Sequence, residues 1–246
     1  MTHEYIYSRN AVYEALRAGG RQIHGIQIAE GVQETGRLAE IINTANQHKI
    51  KIERVAKSRL DKVNPGHQGV IAEAEAYRYV DLLDILDQAR SKSEEPFILL
   101  LDALQDPQNF GTLLRTAEAV GVHGIVIPLA QAVGVTPAVV NASSGATEYL
   151  QIARSNLSHA IDVLKNENIW IVGLDQDGIP LGEDSERHLQ GAIGLVVGSE
   201  GWGLRQLIRS KCDVLLQLPM HGRIESLNAA IAGSVALFLV SLKFRS

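Results

Sequence analysis

Short apolar runs alternate with helical patterns in the second half of the chain, and this alternation restricts the fold more than any other feature. The strand-length runs are FILLLD, GIVIP, IWIVGLD, AIGLVVG and VLLQLP. Helical patterns lie between most of them, at 112–120, 156–166 and 203–210, and a long one begins at 226. Runs that are apolar at successive positions are typical of a parallel sheet covered on both faces. The sequence therefore predicts an α/β fold with a mostly parallel sheet and helices on both faces.

The first part of the chain has a different pattern and predicts a separate, small α/β unit. Ser8 precedes a helical pattern that ends at Gly19, and strand-like and helical segments follow as far as VIAEAEAY. Residues 1–80 hold 11 Lys+Arg against 9 Asp+Glu, whereas the remainder holds 12 against 19. We predict domains at 1–76 and 97–246, joined by a linker helix and a polar linker at 77–96.

Composition excludes several classes of protein. The 246 residues carry a net charge of −5, so the chain lacks the overall basic character of many nucleic-acid binders. The single cysteine, Cys212, cannot form an intrachain disulfide, and no Cys/His cluster has zinc spacing. The start, MTHEYIYSRN, has no apolar h-region. Residues 226–242 carry no charge, but this run is short for a membrane span and predicts a buried helix. We expect a soluble, cytoplasmic protein that binds neither metal nor membrane.

Ligands of an open parallel sheet bind beyond the carboxyl ends of its strands, so the loops that follow the strands are the candidates for chemistry. The glycine fingerprints of dinucleotide-binding folds, P-loops and hydrolase elbows are absent from these loops. Three of the loops combine polar side chains with glycines. Their candidate site residues are Asn109, Arg115, Glu200, Ser226 and Asn228. These side chains would converge if the three strands are neighbours.

The three loops resemble the sequence motifs of the SpoU-type (TrmH-like) RNA ribose 2′-O-methyltransferases of the SPOUT superfamily. The first motif is DPQNFG at 106–111 with RTA at 115–117, the second is GSEGWG at 198–203, and the third is LPMHG at 218–222 with ESLN at 225–228. They occur in the order and spacing of the family. SRNAV at 8–12 and HQGV at 67–70 resemble the substrate domain of the subgroup that methylates a guanosine of 23S rRNA, although Ser8 stands where that subgroup usually has glycine.

This resemblance implies a fold and a cofactor that the residue patterns alone do not. The C-terminal domain would contain a deep trefoil knot, which ordinary topology rules disfavour. S-adenosylmethionine would bind in the knot, held by backbone groups of Gly198, Leu218 and Leu227. Residues 1–76 would form an RNA-binding domain similar to the ribosomal L30e/L7Ae fold. The protein would act as a homodimer, in which the apolar C-terminal helix finds a second surface.

The resemblance also implies catalytic roles. Arg115 matches the catalytic arginine of the family, and because guanidinium does not readily lose its proton we expect it to stabilise the forming alkoxide and to bind an RNA phosphate. Glu200 would orient Arg115 or a neighbouring donor, and Asn109, Ser226 and Asn228 would line the active site. Ser226 and Asn228 are also typical of helix caps, but their place in the third motif favours active-site roles. Asn109 is also typical of a turn.

Other residues are predicted to have structural or RNA-binding roles. We interpret Cys212 as a small buried residue at a helix end, and Trp170 and Trp202 as packing or interface residues. Basic side chains of the first domain would bind phosphates: Arg9, Arg17, Arg21, Lys49, Lys51, Arg54, Lys57 and Arg59.

Alternative functions stay open. Within the same chemistry, the substrate would be tRNA or the rRNA site of an antibiotic-resistance enzyme. A catalytically silent RNA-binding factor for ribosome assembly would use the same fold. A nucleotide-dependent oxidoreductase is disfavoured by the missing glycine fingerprint.

Overall fold

The computed structural model describes residues 3–182, 185, 188–199, 201–223 and 226–244. In chain order, its elements are β1 (His3–Tyr7), α1 (Arg9–Ala18), β2 (Ile23–Ala29), α2 (Arg37–Gln47), β3 (Ile52–Val55), α3 (Lys57–Asp61), β4 (Val70–Glu75), α4 (Leu82–Ser91), β5 (Phe97–Leu101), α5 (Pro107–Ala119), β6 (Gly124–Pro128), α6 (Pro137–Ala142), a 3-10 helix (Ala146–Glu148), β7 (Ile152–Ser155), α7 (Leu157–Asn166), β8 (Trp170–Pro180), β9 (Ile193–Val197), α8 (Gln206–Lys211), β10 (Val214–Gln217) and α9 (Ala229–Phe244).

The chain forms two compact units. The first comprises Met1–Arg78 together with Val135–Tyr149, and the second comprises Tyr79–Gly134 together with Leu150–Ser246. The segment Val135–Tyr149 contains α6 and the 3-10 helix, for which the sequence analysis predicted no element. Thr136 caps α6 by accepting a hydrogen bond from the N–H of Val139, and Pro137 occupies the first helical position.

The first unit is built on a four-stranded sheet in the order β1-β4-β2-β3. β4 is antiparallel to β1 and β2, whereas β2 and β3 are parallel. The buried side chains of α1 are Ala11, Val12, Ala15 and Leu16, the positions that helical spacing predicted, and the helix ends at Gly19 in the left-handed region. Ser8 does not cap α1 through its side chain, because its backbone has a φ of 78° and the hydroxyl makes no capping hydrogen bond.

Arg21 does not belong to a phosphate-binding surface, contrary to the sequence prediction. Its side chain is only 4% exposed, and it forms ion pairs with Glu148 at 2.8 Å and Glu4 at 3.3 Å. The Glu148 side chain is itself 1% exposed. The buried guanidinium is already paired with carboxylates, so its role is structural. Removing either partner would leave an uncompensated buried charge and destabilise the first unit.

The second unit is built on a six-stranded sheet in the order β10-β8-β9-β5-β6-β7, and all of its pairs are parallel. Every residue of β5, β6 and β9 is buried, as their continuous apolar runs predicted. The predicted α/β fold with a parallel sheet is therefore confirmed. β7 was not predicted, because only Ile152 and Ala153 of its four residues are buried and such a short run carries no periodicity.

Helix α9 begins at Ala229 rather than at the predicted 226. One side packs against α5, where the Oγ atoms of Ser234 and Thr116 are 2.9 Å apart. The opposite side exposes apolar residues at helical spacing: Ile231, Val235, Phe238 and Leu242. In the part of the chain that the structure describes, no helix is long and apolar enough to cross a membrane.

Candidate functional site

A cleft of about 400 Å³ lies beyond the carboxyl ends of β9 and β10. Backbone and side chains of two loops line it: Gly198, Ser199 and Gly201–Leu204 after β9, and Leu218, Met220, Ser226 and Leu227 after β10. Apolar lining comes also from Val197 and Leu174. Its position agrees with the expectation that ligands of a parallel sheet bind at this edge.

The loop after β9 is a tight turn. Ser199 and Gly203 exchange two backbone hydrogen bonds of 3.1 and 3.0 Å, and Gly201 and Gly203 have φ angles of 84° and 63°. A Cβ atom on Gly198 would lie 2.2 Å from the carbonyl carbon of Gly203. Only glycine therefore permits this approach of the two backbone segments, which brings main-chain groups to the wall of the cleft.

Asp102 anchors the end of this turn to the loop after β5. Its carboxylate is fully buried at the end of β5 and accepts hydrogen bonds from the backbone N–H of Arg205 at 2.8 Å and from its Nε at 2.7 Å. A second guanidinium nitrogen of Arg205 lies 2.6 Å from the same carboxylate. The contacts cross 103 positions of sequence, so they connect the loops after two neighbouring strands, β5 and β9.

Asn109 and Asn228 join α5 to the start of α9. The Asn228 Nδ2 donates to Asn109 Oδ1 at 3.1 Å, and Asn228 Oδ1 accepts from the N–H of Ala230 at 2.9 Å. Asn228 therefore caps α9 and contacts the first motif through the two ends of one amide. Asp106 caps α5 in the same manner, because its carboxylate accepts from two backbone N–H groups of the first turn.

The structure brings together only part of the predicted site. Gly198, Leu218 and Leu227, the predicted cofactor-binding residues, all line the cleft, as does Ser226. Asn109, Arg115 and Asn228 are not among the described residues that line it. Arg115 lies on the exposed side of α5. Glu200 lies outside the described residues.

Sequence reasoning missed a group of charged residues at the cleft. Arg209 of α8 donates to Asp175 at 3.1 Å and to Asp177 at 3.0 Å, and all three residues line the cleft. Asp175 follows the apolar run IWIVGL. Its place at the end of that apolar run was the available signal, although β8 continues to Pro180, but Asp175 belongs to none of the three motifs.

Cys212 and Trp202, both predicted to have structural roles, differ in their surroundings. Cys212 lies at the end of α8 against the hydrophobic core, where burial raises the pKa of its thiol to about 12 and the Asp213 carboxylate adds to the effect. Trp202 is not packed, because its side chain is 91% exposed at the tip of the turn after β9.

Among the described residues, no group of three His, Cys, Asp or Glu side chains is placed to hold a metal ion.

Comparison with known families identifies two matching regions. The profile of the SpoU rRNA Methylase family matches residues 96–238, and that of the RNA 2′-O ribose methyltransferase substrate binding domain matches residues 5–80.

Relatives match over nearly the whole chain. "Putative TrmH family tRNA/rRNA methyltransferase YacO" of Bacillus subtilis is 40% identical over 98% of this chain and 96% of its own length. A protein of Staphylococcus aureus with the same family name is 38% identical over 99% of this chain and 97% of its own.

Solved structures share the fold. The crystal structure of the SpoU methyltransferase AviRb from Streptomyces viridochromogenes in complex with AdoMet has a TM-score of 0.77 at 24% identity, covering 98% of this chain and 90% of that one. A crystal structure of an RNA 2′-O ribose methyltransferase has a TM-score of 0.78 at 23% identity, covering 99% and 89%.

Proposed function

The chain belongs to the SpoU rRNA methylase family, and from that premise we propose that it transfers a methyl group from S-adenosylmethionine to the ribose 2′-hydroxyl of a guanosine in 23S rRNA. The observation that carries the proposal is the convergence of Gly198, Leu218 and Leu227 on one cleft at the carboxyl edge of the sheet. These residues lie in two separate motifs, and their meeting supports a single cofactor site.

The cleft suits S-adenosylmethionine in size and chemistry. A volume of about 400 Å³ falls in the range of small-molecule sites. Leu218 and Leu227 offer apolar contact to an adenine ring, and the Gly198 backbone can approach a flat ligand because it carries no side chain. The bound cofactor supplies a methyl group on a positively charged sulfur. Backbone groups of these three residues would bind and orient it.

Arg115 acts as the electrostatic group of the reaction. A guanidinium stays protonated, so Arg115 stabilises negative charge on the 2′-oxygen and binds an RNA phosphate rather than withdrawing the proton. We assign the acceptance of the hydroxyl proton to that phosphate. The Asn109–Asn228 hydrogen bond holds α5, which carries Arg115, against the start of α9. Ser226 lines the cleft, and we assign it a contact with substrate. We assign the orientation of Arg115 to Glu200, by its place in the second motif.

We assign RNA binding and methyl transfer to the two predicted domains separately. Residues 1–76 bind RNA and resemble an L30e/L7Ae-type domain, 77–96 link the domains, and 97–246 carry methyl transfer. The substrate-binding match over residues 5–80 supports this division. Lys49, Lys51 and Lys57 are exposed and form no ion pair with the described carboxylates, so they are the basic side chains that best suit phosphate contact.

A trefoil knot would explain the path of the last helix. β10 lies at the edge of the sheet beside β8, yet α9, which follows it, packs on α5 and β9. The chain must therefore return across the carboxyl end of the sheet between β10 and α9. Threading this return through the loop after β9 would bring the second and third motifs around one cofactor.

The exposed side of α9 supports a homodimer. Ile231, Val235, Phe238 and Leu242 form a stripe that a second copy would cover. Phe238→Glu is expected to give a monomer in sedimentation experiments, because a charge on that stripe would be desolvated in a dimer. Leu83→Glu is the matched control, since Leu83 is equally exposed but lies on α4. A Phe238→Glu protein that still sediments as a dimer would exclude this stripe as the interface.

Methyl transfer from labelled S-adenosylmethionine to purified 23S rRNA tests the function, with the modified ribose mapped by sequencing. We expect a single 2′-O-methylguanosine that is lost in Arg115→Ala and retained in Arg90→Ala, an exposed helical arginine on α4. Near-full turnover of Arg115→Lys would contradict a planar, bidentate role. A ribosomal substrate would place the reaction in the cytoplasm.

The same assay separates the alternatives. Modification of tRNA alone would keep the mechanism and reject the ribosomal target, whereas modification of a different rRNA site would indicate a resistance enzyme. Cofactor binding without transfer to any RNA would favour the silent assembly factor.

A further inference from the structure

Trp202 is the most exposed large apolar side chain of the described residues. Its indole is 91% exposed, whereas the other tryptophan, Trp170, is 41% exposed at the start of β8. Tryptophan is highly buried on average, and leaving its ring in water forgoes the hydrophobic gain of burial. An indole held in solvent beside a ligand cleft is therefore a candidate contact surface.

The backbone presents this indole at a fixed position. Trp202 lies between Gly201 and Gly203, inside the turn closed by the two Ser199–Gly203 hydrogen bonds. The turn is clamped at its end by the contacts of Arg205 with buried Asp102. Trp202 thus belongs to a constrained turn rather than to a long flexible loop, and it lines the mouth of the cleft.

We propose that Trp202 stacks on a nucleobase of the RNA substrate, next to the ribose that enters the cleft. The inference rests on the proposed function. Unpaired bases are recognised by stacking on aromatic side chains, and such stacking is tolerant of base identity. Trp202 therefore contributes to RNA affinity and to the position of the nucleotide, and not to the choice of guanosine.

A nucleobase is a better occupant than a second copy of the chain. The apolar stripe of α9 offers a separate surface for dimerisation. Trp202 lines the cleft that must admit the reacting ribose, so a partner subunit seated on the indole would obstruct that entrance.

Steady-state methyl transfer to purified 23S rRNA measures the effect. Trp202→Ala is expected to raise the KM for RNA about tenfold, and Trp202→Phe less, because phenylalanine retains a stacking face. The dissociation constant for S-adenosylmethionine and the sedimentation coefficient should stay unchanged. Trp170→Phe is the control. It should leave the KM for RNA and the dissociation constant for S-adenosylmethionine as in the wild type, since Trp170 lies at the opposite end of the sheet.

Fluorescence tests the contact without turnover. In Trp170→Phe the only indole is Trp202, and a mixed-sequence RNA of about 12 nucleotides should quench its emission. An abasic strand of the same length, which keeps the phosphates and lacks the bases, should not.

Several results would overturn the inference. Equal quenching by the abasic strand or an unchanged KM for RNA in Trp202→Ala would exclude stacking. A weaker affinity of Trp202→Ala for S-adenosylmethionine would make Trp202 a cofactor-binding residue. Dissociation of the dimer in Trp202→Ala would make it an interface residue. If wild-type protein methylates no RNA, the proposed function fails, whereas an active wild type with an unaffected Trp202→Ala refutes only the stacking.

Discussion

Replacing Asp102 by asparagine should destabilise the second unit and loosen the cofactor cleft together. The Asp102 carboxylate is fully buried and takes three contacts of 2.6–2.8 Å from Arg205. Asparagine keeps the shape but removes the charge, and its amide nitrogen places a donor against the donors of Arg205. The turn that lines the cleft would then lose its anchor.

The size of the effect follows from burial. Breaking a buried ion pair costs about 3–5 kcal/mol, but the Arg205 side chain is 47% exposed and can regain water when the pair is lost. We therefore expect a loss of about 2–3 kcal/mol in the free energy of unfolding, measured by urea denaturation. For a chain of this size, the Tm should fall by about 5–10 °C. The dissociation constant for S-adenosylmethionine, measured by calorimetry, should rise about tenfold.

Asp87→Asn is the matched control. Asp87 also pairs with an arginine, Arg90, at 3.1 Å, but both side chains are more than half exposed. An exposed pair contributes about 0–1 kcal/mol, so this variant should unfold nearly as the wild type does. If Asp102→Asn and Asp87→Asn lost equal stability, or if Asp102→Asn bound the cofactor normally, the anchoring role derived from burial would be refuted.

Three further predictions concern the same unit. Asn228→Ala should lower the unfolding free energy in urea by about 1–2 kcal/mol through loss of the α9 cap. Asn228→Asp should keep the cap but lose methyl transfer, since a carboxylate cannot donate to Asn109 Oδ1. Wild-type activity of Asn228→Asp would remove this contact from the mechanism. Gly198→Ala should abolish cofactor binding in calorimetry, because its Cβ would meet backbone at 2.2 Å, while Gly182→Ala, whose Cβ would meet nothing within 4 Å, should bind normally. At pH 8, Cys212 of the folded protein should react with iodoacetamide about a thousandfold more slowly than an ordinary thiol, because burial raises its pKa from 9.0 to about 12. Unfolding in urea should restore the reaction. Fast labelling of the folded chain would show that the thiol is not buried.

Patterns of apolar residues along the sequence predicted much of both units. β6 (Gly124–Pro128) has the bounds of its apolar run, and the buried side of α1 is the one that its spacing indicated. These features depend on residues that are near one another in sequence. β7 and α6 were missed because each is too short to show a period.

The candidate site likewise contains residues that the sequence motifs identified and residues that only the structure showed. The motifs identified Gly198, Leu218 and Leu227, which line one cleft although β8 separates β9 from β10 in the sheet. Motif matching did not select Asp102, Asp175 or Arg209, because their importance comes from partners far along the chain. It also did not indicate that Trp202 stands in solvent, since a tryptophan has the same identity whether it is packed or exposed.

The sequence by itself determined the class of the fold, the order of the motifs and the family, because hydrophobic periodicity and glycine-rich loops are local properties. Only the tertiary structure decided which distant residues meet. Asn109 and Asn228 are 119 positions apart, Arg21 and Glu148 are 127 apart, and Val135–Tyr149 joins the first unit although the flanking chain belongs to the second. Such contacts depend on strand order and on the route of the connections, and no local pattern records them. These contacts form only when the strands pair and the buried charged side chains form their ion pairs.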